Sequence, residues 1–199
     1  MVRLISEETL RRLLLLSTER KLAFLALSYE RMIPELRSFC VTEGRDYSAF
    51  QRFHEQLWCH LTCHKSPVPW LELRNGMLNA TPDSEDFGTP VASSALSAAL
   101  VAIATADFAN DYQDTQVLAV IGYTLDALDA SAVGELDALI VNRTVDRYVN
   151  SHLLLERERH RQEDDIAFLT AIANVPWPVS AVAMLLDRAK TQGALLGNR

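Results

Sequence analysis

Residues 18–40 read TERKLAFLALSYERMIPELRSFC. The apolar residues of this stretch recur at steps of three and four, which is the period of an α-helix; they are Leu22, Leu25, Ala26, Tyr29, Ile33, Leu36 and then Phe39 or Cys40. Ser17 or Thr18 is placed to cap the start of this helix. Pro34 lies inside the pattern and has no N–H for the carbonyl of Glu30, so we expect the helix to bend there.

The composition of the whole chain favours the same kind of structure. Its 199 residues include 30 Leu and 24 Ala but only 21 Val and Ile together, so good helix formers outnumber β-branched residues. Seven Gly and seven Pro are few for a turn-rich sandwich, barrel or propeller. The sequence therefore predicts an all-α fold.

The helical period continues along the chain and predicts a bundle of about seven or eight helices with short connections, forming a single helical domain over residues 1–199. Besides the helix of residues 18–40, predicted helices cover Glu7–Leu16, Ala49–His64, Trp70–Leu78, Pro90–Asn110, Thr115–Ala130 and Val179–Lys190. Ser131 is predicted to start a seventh helix, and the pattern leaves open its continuation through Val149 to Ala173.

Charge and cysteine content exclude several classes of protein. Nineteen basic and twenty-six acidic residues give a net charge of −7, and no basic stripe suited to nucleic acid is present. The apolar runs at residues 95–106 and 117–125 are too short for a membrane span, and the first residues lack the apolar run of a signal peptide. Three cysteines are an odd number for a disulfide framework. We expect a cytoplasmic protein that binds neither nucleic acid nor membrane.

The segment Ala23–Cys40 resembles a bacterial family of unknown function, the YjaG-like proteins (domain of unknown function family 416). The resemblance rests on an adjacent Glu-Arg, a Met, a Pro and a Phe-Cys, which here are Glu30, Arg31, Met32, Pro34, Phe39 and Cys40. It continues at Leu57–Trp58, Leu61–Thr62 and residues 84–87, and so covers about the first hundred residues. The resemblance implies an all-α fold in a soluble bacterial protein, and it implies no activity.

Glu30 and Arg31 form the first candidate polar site. A carboxylate beside the carbonyl that Pro34 leaves without its donor is suited to a cation or an amine. The structural interpretation is that both residues flank the apolar stripe and pair with neighbouring helices, since a helix bend at proline needs polar partners in either case.

The second candidate site is the run CHLTCH, in which Cys59 and Cys63, and His60 and His64, stand four residues apart. Either pair lies on one face of a helix and supplies two ligands suited to zinc. His54 stands six residues before His60 and is expected to face elsewhere. The alternative is that one or both thiols fill core volume beside Trp58 and Leu61.

The third candidate site is a stripe of two imidazoles and two carboxylates with spacings of four, four and three residues: His152, Glu156, His160 and Glu163. On a continuous helix this set is suited to a divalent metal. The alternative is a solvated stretch, because residues 156–165, ERERHRQEDD, contain no apolar residue and offer Arg159–Glu163 and Arg161–Asp165 pairs. We expect no bound cofactor or metal.

Two functions remain open on this sequence. The favoured hypothesis is a non-enzymatic interaction or regulatory protein that self-associates, with an unidentified protein as a further partner; the alternative is a metal-dependent or small-ligand enzyme built on the candidate sites above. The apolar residues between 136 and 155 wrap further round a helix than one packing stripe requires, which predicts a two-fold dimer. A central position in the bundle explains the same pattern equally well.

Overall fold

The computed structural model describes residues 5–63, 67–82, 90–137, 144–172 and 179–196. These residues form eight α-helices and no strand. In chain order the helices are α1 (Glu7–Leu14), α2 (Thr18–Thr42), α3 (Ser48–Cys63), α4 (Trp70–Ala80), α5 (Pro90–Asp111), α6 (Asp114–Asp137), α7 (Thr144–Ala171) and α8 (Val179–Gln192). The prediction of an all-α fold is confirmed.

The two helix starts nearest the beginning of the chain differ in how they are capped. Ser6 caps α1, because its Oγ accepts a hydrogen bond from the Thr9 amide at 3.0 Å, and Glu7 and Glu8 follow in the first turn, where the helix dipole favours acids. Ser17 occupies the corresponding position before α2, but its side chain makes no capping bond. α2 then runs without interruption past Pro34, and the bend stays a prediction.

The central helix of the fold is α2, which packs against α3, α5, α6, α7 and α8. Every residue from Leu22 to Tyr29 is buried, so this part of α2 is enclosed on all sides. α5 packs against α2, α4 and α6, and its small side chains allow these helices to approach it closely. Its buried alanines include Ala95, Ala98, Ala99 and Ala102.

α5 is also the most apolar helix of the described chain. The stretch Val91–Asp111 is 21 residues long with a mean hydropathy of 1.6. By length and composition alone it could cross a membrane, unlike the shorter runs considered in the sequence. In the fold, 72% of the apolar part of this stretch is buried among the other helices. Such burial is typical of the core helix of a globular fold.

The predicted helix start at Ser131 is wrong. α6 continues through Ser131 to Asp137, and α7 begins at Thr144, so the apolar region between 136 and 155 is divided between two helices. Residues 138–143, which include Leu139, Ile140 and Val141, lie outside the described residues, as do the side chains of Val145 and Val149. Of the remaining leucines of that region, Leu153 is exposed and Leu154 and Leu155 are half-buried.

Candidate functional site

The guanidinium of Arg31 is the centre of a fully buried polar cluster between α2 and α7. Its Nε donates to Glu158 Oε1 at 3.1 Å, and its Nη2 lies 2.9 Å from the same oxygen. Its Nη1 donates to Asp165 Oδ2 at 2.7 Å. All three side chains are essentially inaccessible to solvent. α2 and α7 are thus joined by two buried ion pairs through one arginine.

Helix α8 completes this cluster from the other side. Gln192 Oε1 accepts from Arg31 Nη1 at 2.8 Å, while its Nε2 donates to Asp165 Oδ1 at 2.8 Å. Arg188 Nε donates to the same Oδ1 at 2.7 Å. With Ser28 Oγ 3.5 Å from Nη2, each of the five N–H groups of Arg31 has an acceptor from the protein.

The charge balance of the cluster explains how it tolerates burial. Burial alone would lower the pKa of Arg31, but the charges of Glu158 and Asp165 and their hydrogen bonds outweigh it and raise that pKa above its ordinary value. One cation against two carboxylates leaves an excess negative charge, and the partly buried Arg188 and Arg161 lie beside the carboxylates. Burial lowers the pKa of Arg161, although the neighbouring Glu158 opposes that shift.

Glu30, the neighbour of Arg31, points to a different helix. Its Oε1 accepts from the Trp58 indole N–H at 2.7 Å and lies 2.5 Å from His54 Nε2, so it joins α2 to α3. Glu30 is 20% exposed and its partner His54 is 31% exposed, so Glu30 is the accessible residue of the Glu-Arg motif. The structure therefore separates Glu30 and Arg31 into two sites, with the first near the surface and the second buried.

The CHLTCH candidate is not assembled into a ligand set in the part of the chain that is described. The side chain of Cys59 is exposed, while the His60 ring packs edge-on against Trp70 with the ring centroids 5.3 Å apart. The side chain of Cys63 and all of His64 lie outside the described residues.

The described side chains of the candidate stripe on α7 also do not come together as one site. His160 is 73% exposed and lies 3.9 Å from Glu163, whose Oε1 also accepts from Thr9 Oγ1 at 3.4 Å. Glu156 is paired with Arg159, and the side chain of His152 lies outside the described residues. Among the side chains that can be placed, no three of His, Cys, Asp or Glu converge as a metal site would require.

The interpretation of residues 156–165 as a wholly solvated stretch is wrong. Glu158, Gln162 and Asp165 are fully buried and share one face of α7, at spacings of four and three residues. Asp165 pairs with Arg31 and Arg188 instead of Arg161, and Arg159 pairs with Glu156 instead of Glu163. The packing of α7 against the buried Arg31 decides which face this is, and the all-polar sequence of residues 156–165 carries no signal that distinguishes it.

His54 is the other residue of the site that sequence reasoning missed. It contacts Glu30, which stands 24 positions earlier on another helix. Spacing within one helix carries no information about such a contact, because the packing of α2 on α3 decides it.

The fold and the site define an all-α protein whose central helix is tied to later helices by a buried arginine cluster. Residues 8–175 match the model of DUF416, described as a protein of unknown function, and the chain belongs to this family. Its fold is similar to the crystal structure, at 1.91 Å resolution, of a DUF416 family protein from Shewanella baltica OS155. That likeness has a TM-score of 0.75 at 19% identity and covers 94% of this chain and 96% of the other. No match is found among the curated proteins.

Proposed function

We propose that this chain is a non-enzymatic cytoplasmic protein of a bacterium, that it acts through protein contacts, and that it self-associates as a two-fold dimer through the outer face of α6. The similar structure comes from Shewanella baltica OS155. Cys40 and Cys59, the two cysteines whose side chains are described, are free thiols, which supports a reducing compartment.

The observation that carries the dimer is an apolar strip on α6 that is partly exposed at the edge of the core. Leu118 is 45% exposed, and Ile121, Gly122 and Leu125, which follow it by three, four and seven residues, are each partly exposed. A Cβ atom added at Gly122 would meet nothing within 4 Å. Apolar residues around a small one at helical spacing favour close packing of a second helix.

A contact between the same helix face of two copies is expected to have two-fold symmetry. In a closed two-fold dimer the same strip supplies both halves of the interface, so one apolar helix face is sufficient. The alternative is a metal-dependent or small-ligand enzyme that uses the His/Cys or the Glu30 and Arg31 positions. It is not favoured at Arg31, because the five N–H groups of that residue are all bonded to the protein.

Light scattering at micromolar concentration tests the proposal. A dimer has about twice the chain mass of 22.3 kDa. Gly122→Gln places a side chain into open space, so the monomer should keep its fold while the approach of a second α6 is blocked. Met184→Gln changes an exposed apolar residue on α8 and should leave the mass unchanged.

The outcomes are distinct. A wild-type mass near 22.3 kDa contradicts the dimer. A doubled mass that persists in Gly122→Gln contradicts α6 as the interface and leaves self-association through another surface.

A further inference from the structure

The chain after α8 folds back along the cleft between α2 and α7. Gly193 turns it with a φ of +70°, in the left-handed region that favours glycine. The Leu195 amide then donates to the Arg31 carbonyl at 2.7 Å, and the Leu196 amide donates to Glu35 Oε1 at 3.2 Å. The side chain of Leu195 is buried. We call Gln192, the last residue of α8, together with residues 193–196 the C-terminal segment.

Two arginines of α7 hold the carbonyl groups of the C-terminal segment. Arg157 Nη2 donates to the Leu195 carbonyl at 2.5 Å, and Arg161 Nη1 donates to the Ala194 carbonyl at 3.2 Å. Arg161 Nη2 also donates to the Gln192 carbonyl. With the two hydrogen bonds that the Leu195 and Leu196 amides donate to α2, five hydrogen bonds hold the main chain of the segment. Such contacts depend little on which side chains the segment carries.

Two side chains of the C-terminal segment are recognised as well. The primary amide of Gln192 meets a donor on Arg31 and an acceptor on Asp165, each at 2.8 Å, and this pairing is complementary to a carboxamide but not to a carboxylate. Leu195 fills an apolar position three residues later. The cleft therefore distinguishes a glutamine followed by a leucine at the third position after it.

We infer that the cleft between α2 and α7 is a peptide-binding groove for segments of the pattern Gln-x-x-Leu, and that the C-terminal segment occupies it in cis. The groove residues lie within the part of the chain that matches the family model, residues 8–175, and the segment that fills it lies beyond that part. The partner that fits this surface is a peptide of another protein with the same pattern, bound by displacement of the C-terminal segment. The groove is separate from the α6 strip, and the inference is independent of the proposed dimer.

Because the C-terminal segment occupies the groove in cis, a free peptide has to compete with it for the groove. A tethered segment acts at an effective concentration in the millimolar range for a short connection, so a free peptide of the same sequence binds the intact protein weakly. Weakening the tethered segment removes this competition and leaves the groove intact, because the groove residues belong to α2 and α7.

The test uses the full chain with Leu195→Asp and a fluorescein-labelled peptide RAKTQGALL, the sequence of residues 188–196. Fluorescence anisotropy should show at least about tenfold tighter binding to Leu195→Asp than to the wild type. Thr191→Asp, an exposed position just before the segment, should match the wild type. A peptide with Glu in place of its Gln should lose at least about tenfold in affinity, because Asp165 then faces a like charge.

Equal binding of the peptide to the wild type and to a folded Leu195→Asp variant would overturn the inference, and so would equal binding of the Glu peptide. Hydrogen exchange on the wild type provides the second measurement if Leu195→Asp does not fold. The amides of Leu195 and Leu196 should then exchange well before those of the α2 and α7 cores. Exchange of these two amides only on global unfolding would show that the segment is not released, and the inference would fail.

Discussion

Arg31 Nη1 and Asp165 Oδ2 lie 2.7 Å apart, although 134 positions separate the two residues in the sequence, and both side chains are fully buried. This contact joins the central helix α2 to α7, and α8 bonds to the other oxygen of the same carboxylate through Arg188 and Gln192. Three helices thus meet at one carboxylate.

Arg31→Met should lower the free energy of unfolding by about 3–5 kcal/mol, because it leaves Glu158 and Asp165 buried without their main counter-charge. Urea denaturation followed by circular dichroism measures the change. Arg11→Met is the control: Arg11 and its partner Glu8 are 72% and 70% exposed, so the change should stay within about 0.5 kcal/mol. A loss below about 1 kcal/mol for Arg31→Met would mean that water reaches the carboxylates.

Tyr29→Phe should reduce the loss of stability at alkaline pH. Burial, followed by the neighbouring Tyr47, raises the pKa of Tyr29 well above its ordinary value of 10.0. The folded chain therefore keeps this proton where the unfolded chain releases it, so the stabilisation is complete below pH 10.0 and is lost as the pH rises through the folded pKa.

The measurement is the slope of the free energy of unfolding between about pH 10 and pH 11, where one such tyrosine contributes about 1 kcal/mol per pH unit. Tyr29→Phe removes that contribution, while Tyr47, whose pKa burial also raises, retains its own. The exposed Tyr112→Phe should leave the slope as it is. An unchanged slope in Tyr29→Phe would rule out Tyr29 as a source of alkaline instability.

Asp129→Asn should strengthen self-association through α6. Burial and the neighbouring Asp126 raise the pKa of Asp129, which stands on the exposed side of α6 beside the apolar strip. Contact with a second chain removes more water from this carboxylate and so disfavours its charged form. The dissociation constant of the wild type should therefore fall as the pH is lowered from about 7 to about 5.

Sedimentation equilibrium measures that constant. Asp129→Asn should bind about tenfold more tightly at neutral pH, which corresponds to about 1.4 kcal/mol, and should lose most of the pH dependence. Asp187→Asn, an exposed aspartate on α8, removes the same charge elsewhere and serves as the control. Equal effects of the two variants would attribute the change to net charge alone.

At a concentration low enough to keep the chain monomeric, Gly122→Ala should stabilise it by about 0.5–1 kcal/mol, since a Cβ meets nothing within 4 Å in the single chain and alanine favours the helix. The melting temperature should rise by about 2–4 °C per kcal/mol for a chain of this size. Gly44→Ala is the matched control: space is open there too, but the φ of +62° strains any other residue and should cost about 1–2 kcal/mol. Stabilisation at both positions would contradict this account.

The helices could be predicted from the sequence because their signals are local. Apolar steps of three and four residues define α2, and Ser6 with the acids after it gives the start of α1. The wrong helix start at Ser131 has a local reason as well. A serine acts as a cap only where the preceding helix ends. No Gly or Pro stands among the residues directly before Ser131, 126–130, to end α6 there.

The partners of the candidate site could not be predicted in the same way. The sequence marks Arg31 as a candidate, but Glu158 and Asp165 lie 127 and 134 positions away, and only the packing of α2 on α7 brings them together. Polar residues are assigned to the solvent when their hydrophobicity alone is considered. A buried cation reverses that assignment for one face of α7, and no pattern within residues 156–165 records which face it is.

The distance in sequence between Arg31 and Asp165 also has a meaning for biosynthesis. Ribosomes add about 5–20 residues per second, so Arg31 is made roughly 7 to 27 seconds before a residue 134 positions later. During that interval the nascent α2 carries a guanidinium among the apolar residues that become its core, and this charge favours a hydrated, open arrangement. Burial of the Arg31 guanidinium with its two carboxylates therefore has to wait for translation of α7, a delay that faster helix formation does not shorten.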